Sequence, residues 1–71
     1  MDRNMAIQVM KELIEHQFVQ APDVSIQWEK GNEYNLILKG GNSLFLNAFT
    51  SDRNLLIHEN KEKGIVKIIS H

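Results

Sequence analysis

Histidines, serines and carboxylates are the reactive groups of this chain, and their spacing decides what they can do together. His58 and Glu59 form the acid–base pair that is adjacent in sequence. They fall in a run, Leu55 to Glu59, that predicts a strand, and neighbours on a strand point to opposite faces. A direct proton relay between them is excluded, so His58 reads as a solvent or interface residue. His16 lies near Glu12 at helical spacing, where such pairs are weak surface contacts. His71, at the end of the sequence, is expected to fray. Ser25, Ser43, Ser51 and Ser70 lack the glycine-flanked elbow that exposes a serine nucleophile. Gly40-Gly41-Asn42 is glycine-rich, but it joins two expected strands, whereas a phosphate loop opens a helix. General acid–base catalysis needs titratable groups converging in a concave site, and no spacing here promises that. The chain reads as non-enzymatic.

Ligand chemistry is equally sparse. The chain has no cysteine, which removes disulfides and thiolate zinc sites, and its three histidines are widely separated. Neither a metal nor a cofactor is expected. The basic residues Lys30, Lys39, Arg53, Lys61 and Lys63 all fall at or near expected turns. Turns of a β-meander alternate between the two ends of the sheet, which groups Lys39, Lys61 and Lys63 into a cationic edge. A nucleic-acid binder using that edge is the alternative function. Glu59 and Glu62 are interleaved with these lysines, and the net charge is −1, so nucleic acid is the disfavoured partner.

The elements that position these groups follow from periodicity. Between Arg3 and Val19, apolar residues recur at helical spacing through Ala6, Met10 and Leu13, flanked by Ile7, Ile14, Phe18 and Val9. The apolar arc is about 220° wide, against the somewhat more than 100° that an ordinary surface helix needs. Asp2 or Asn4 suits the helix cap and Pro22 its end, giving a helix over residues 2–20. After Pro22 the period becomes two, and residues 23–71 read as an antiparallel sheet. Val24-Ile26-Trp28 alternate with polar residues, as do Tyr34-Leu36-Leu38. A three-residue hairpin loop sets Trp28 opposite Tyr34, Ile26 opposite Leu36, and Val24 opposite Leu38. A third strand over Ser43–Thr50 is expected, with Leu44, Leu46 and Ala48 on that same face. Leu55–Glu59 and Ile65–Ser70 complete five strands, with Gly64 in the left-handed position closing their turn. The fold class is α+β, a single domain over residues 1–71 with the N-terminal helix packed on a five-stranded antiparallel β-meander, αβββββ.

Composition bounds the rest. A chain of 71 residues makes one domain, and 42% hydrophobic content argues against disorder. Gln8, Lys11, Glu12 and Glu15 interrupt the first segment, so it is not a signal peptide, and no run approaches the roughly 20 apolar residues of a membrane span. A cytoplasmic protein with no membrane partner is expected.

Function then rests on apolar surface. Ile37, Phe45 and Phe49 are expected on the sheet face away from the helix, and the last two strands are apolar on both faces. Strands apolar on both faces are usually covered on both. One helix about 10 Å thick shields roughly half of one face of a five-stranded sheet. The reading is a small protein-binding module, an inhibitor or accessory subunit, that self-associates as a dimer or takes a protein partner. Its interface is expected at Ile37, Phe45, Phe49 and Leu56 on the sheet, with Phe18 and Met10 on the helix flank.

Overall fold

The computed structural model of the chain describes residues 1–40 and 43–71, without the side chains of residues 43 and 44. Helix α1 (Arg3–Glu15) is capped by Asp2, whose carboxylate accepts the Met5 amide at 2.7 Å. Ala6, Val9 and Leu13 are its buried stripe. The helix stops well before residue 20, and Pro22 is not the cause. Gln17 takes a left-handed φ of 63°, the Phe18 amide bonds the Leu13 carbonyl at 2.9 Å, and the Gln17 amide bonds Ile14 at 3.0 Å. These two bonds form a Schellman cap that turns the chain back and lays Phe18 on the core. Pro22 sits instead in a 3₁₀ turn, Ala21–Asp23.

Strands β1 (Val24–Lys30) and β2 (Glu33–Lys39) pair antiparallel in the expected register, Trp28 with Tyr34, Ile26 with Leu36 and Val24 with Leu38. A bulge between Trp28 and Lys30 distorts the far end of β1. The main correction concerns the next segment, because Ser43–Ser51 is helix α2 and not a third strand. Its sequence fits either period. Leu46, Phe49 and Thr50, spaced i, i+3, i+4, are buried, while Phe45, Asn47 and Ala48 are exposed. Leucine and alanine are strong helix formers, and the one β-branched residue, Thr50, bonds the Leu46 and Asn47 carbonyls at 3.0 and 3.1 Å. The Gly41 and Asn42 part of the expected turn, and the Leu44 side chain, lie outside the described residues.

Strands β3 (Leu55–Asn60) and β4 (Ile65–Ser70) form the last hairpin, with Gly64 at φ 65° as expected. The fold is α+β with an antiparallel sheet of four strands in the order β1-β2-β4-β3. It is not a meander, since the α2 crossover carries β3 past β4 to the sheet edge. The described elements read α-β-β twice, and the second pair of strands meets the first across the β2–β4 seam. A pseudo-twofold axis through that seam relates the two halves in topology.

Both helices feed one core on one face of the sheet. Ala6, Val9 and Leu13 from α1 and Leu46 and Phe49 from α2 join Val24, Leu36, Leu38, Leu55, Val66 and Ile68 from the strands. Met1 extends the ladder where β2–β4 pairing stops. Its carbonyl accepts the Tyr34 amide at 2.7 Å, and its amino group lies 3.2 Å from both the Tyr34 carbonyl and Glu33 Oε2. Arg53 clamps the two helices together. Its Nε donates to Glu12 Oε2 at 2.7 Å, its Nη1 to the Phe49 carbonyl at 3.0 Å, and its guanidinium lies 3.8 Å from the Phe49 ring centre. Those bonds from Arg53, helped by the Gln8 amide, hold the Glu12 carboxyl below the usual carboxylate range. No helix among the described residues is long and apolar enough to cross a membrane.

Candidate functional site

The sheet face opposite the helices is open: no element among the described residues covers it. Register decides what stands there. Cross-strand partners share a face, so Ser25, Ile37, Lys67 and His58 form one row. Ile69 and Leu56 pair in the next row on one side, and Lys39, Ile65 and Asn60 make the row on the other. Ile37, Ile65 and Ile69 are half-buried by their neighbours alone, and Leu56 is 40% exposed. Four apolar side chains thus surround the stem of Lys67.

A polar chain crosses the same face. Asn35, buried, donates through Nδ2 to Glu29 Oε2 at 3.0 Å, and the Lys67 ammonium lies 3.6 Å from the same oxygen. His58 stands opposite Lys67 on the adjacent strand. Glu29, Glu33, Asn35, His58, Lys67 and Ile69 line a shallow depression of about 250 Å³. Sequence reading missed this grouping. The β3–β4 register could have matched His58 to Lys67, but the non-sequential β2–β4 neighbourhood that brings Glu29 across left no local signal. Chemically the carboxylate and the ammonium neutralise each other within the face. What remains is an amphipathic surface on which Glu29 holds Asn35.

The six residues expected to form one interface are divided by the structure. Ile37 and Leu56 are on the open face. Phe45 and Phe49, expected beside them, belong to α2 in the other layer, because the segment is helical. Phe49 is 6% exposed and packs its ring 5.6 Å from Phe18. Phe18 and Met10 are half-buried against the same core. Phe45 alone projects, 70% exposed, beside a shallow groove of about 350 Å³ that it shares with His16, Gln17, Phe18 and Leu46. Lys39, Lys61 and Lys63 do lie at one end of the sheet, where the Gly40 amide bonds the Gly64 carbonyl at 2.8 Å. Glu59 and Glu62 are exposed at that end as well. Among the described residues no group of three or more histidine or carboxylate side chains is placed to hold a metal ion. Compared with known protein families, curated proteins and solved structures, the chain matches none.

Proposed function

We propose that this chain is a small non-catalytic protein-binding module that self-associates, with the open sheet face as its contact surface. The absence of cysteine fits work in a reducing compartment such as the cytoplasm. The observation that supports this reading is the set Ile37, Leu56, Ile65 and Ile69, which water meets on a face with no cover among the described residues. Magnitude limits the strength of the contact. Four strands about 4.8 Å apart and about 20 Å long present on the order of 400 Å² in projection, below the roughly 800 Å² per partner of a standard interface. Association through this face alone is therefore weak and concentration-dependent.

Ile37→Glu tests the reading. Ile37 sits in the middle of the face, away from the helix layer, with Lys67 as its cross-strand partner. The substitution should leave the circular dichroism spectrum intact and lower the average mass in sedimentation equilibrium at every concentration. A variant whose mass curve superimposes on that of the parent removes the face as the contact. A parent that stays monomeric to submillimolar concentration removes self-association altogether.

A further inference from the structure

We infer that the free edge of β3 is a second contact surface, built to take β3 of another copy as an antiparallel neighbour. The inference stands on the sheet edge and is independent of the open-face reading. Backbone direction along β3 follows from one bond. The His71 amide donates to the Asn54 carbonyl at 3.1 Å, which makes Asn54–His71 a hydrogen-bonded pair. Such pairs alternate along an antiparallel ladder, so Leu56, His58 and Asn60 turn their amides and carbonyls toward β4. Leu55, Ile57 and Glu59 turn theirs outward. The central ladder agrees: Tyr34 and Gly40 bond away from β1, which places Leu36 and Leu38 in bonded pairs with Ile68 and Val66. That leaves Ile68 facing Ile57 across a non-bonded pair.

None of the outward groups of Leu55, Ile57 and Glu59 has a backbone partner among the described residues. Edge strands are commonly blunted by lysine, proline or a bulge. β1, the other edge, is blunted at both ends: the Val24 amide is taken by the Ala21 carbonyl, and the bulge and Lys30 disrupt its far end. β3 has only one charged residue, Glu59 near its end, and none of these three devices. Its register with β4 runs without a shift from Leu55 to Asn60, and it contains neither proline nor lysine.

The occupant follows from the spacing of those outward groups. Centred on Ile57, an antiparallel copy sets Leu55 against the partner's Glu59, Ile57 against the partner's Ile57, and Glu59 against the partner's Leu55. Each of the three is an outward-facing residue able to exchange two hydrogen bonds with its counterpart. A shift of two residues in either direction loses at least one of these pairs. In the centred register Ile57 meets Ile57 on the helix side, and exposed Leu56 lies beside the partner's His58 on the open side. The join repeats the β2–β4 seam inside the molecule, where two α-β-β halves already meet antiparallel. It also merges two open faces into one surface of about 800 Å², the size a standard protein contact needs.

Amide hydrogen exchange followed by NMR over a concentration series tests this. The amides of Leu55, Ile57 and Glu59 should slow by about tenfold between dilute and concentrated protein, while those of Leu56, His58 and Asn60 stay protected throughout. That alternation should persist in Ile37→Glu, which separates it from the face contact. Glu59→Pro removes an outward amide at an exposed position and should weaken the effect at Leu55 and Ile57 by about tenfold. The Leu56 and His58 amides report whether that variant is folded. Exchange of the odd-numbered amides that does not change with concentration overturns the inference, as does protection that disappears in Ile37→Glu.

Discussion

Replacing Phe49 and Phe45 one at a time tests how α2 packs on the core. Residues four apart share a face in a strand and lie only about 40° apart around a helix, so burial and not spacing sets the two phenylalanines apart. In α2 they are one turn apart, with Phe49 6% and Phe45 70% exposed. Phe49 packs against Phe18 and lies under the Arg53 guanidinium. Truncating a buried phenylalanine to alanine costs about 3–5 kcal/mol, because the lost transfer energy is joined by a cavity that the surroundings only partly fill. A domain of 71 residues has about 4–10 kcal/mol in all. Phe49→Ala should therefore lose roughly a third of its stability or more, and at a urea slope of about 1 kcal/mol/M its midpoint falls by roughly 3–5 M or the variant is unfolded without denaturant. Phe49→Leu, which keeps most of the volume, gives a folded variant with a smaller shift. Phe45→Ala should stay within about 0.5 kcal/mol of the parent. Urea titrations followed by far-ultraviolet circular dichroism supply the comparison. Equal shifts for Phe45→Ala and Phe49→Ala would refute the packing of α2 that buries Phe49 and leaves Phe45 in water.

Gln17→Gly should raise stability by about 0.5–1 kcal/mol. The left-handed φ of 63° costs a non-glycine residue roughly 1–2 kcal/mol, and part of the gain is returned as unfolded-chain entropy. A lower melting temperature for this variant would show that the Gln17 side chain contributes more than its backbone costs. The Glu12–Arg53 clamp should loosen in acid. Glu12 titrates lower in the folded chain than in the unfolded one, so its stabilising effect is complete above the ordinary carboxylate value of about 4.3 and is lost as pH falls through the folded value. Denaturation midpoints of the parent and of Glu12→Gln should converge on acidification, and a gap that stays constant down to strong acid contradicts the clamp.

Much of the fold was legible where one local period dominates. The β1–β2 register could be read pair by pair, because Val24-Ile26-Trp28 and Tyr34-Leu36-Leu38 leave a single way of matching apolar faces across a short loop. Gly64 marked the β3–β4 turn for the same local reason. Ser43–Ser51 was not legible, since Leu44-Leu46-Ala48 satisfies a period of two while Leu46-Phe49-Thr50 satisfies a helix. The choice between them is made by tertiary contact with β3 and Phe18. That one segment carried the errors in strand number, sheet order and the placement of Phe45 and Phe49. Ile37 could be placed because β2 alternates in a single phase, whereas β3 is apolar on both faces around Leu56, and the approach of Glu29 to Lys67 depends on β2 and β4 being neighbours, a relation between residues far apart in sequence.

The pseudo-twofold arrangement has a kinetic consequence. Each half pairs strands that are close along the chain, so both hairpins can close quickly and independently, with little loop entropy to overcome. The β2–β4 seam brings Leu36 against Ile68 and waits for both. Docking of the two halves is the least local step of folding, and so the one that topology slows most. Until it happens, the inner edges of β2 and β4 are as bare as the outer edge of β3, and in that interval a half from one molecule can close on the complementary half of another.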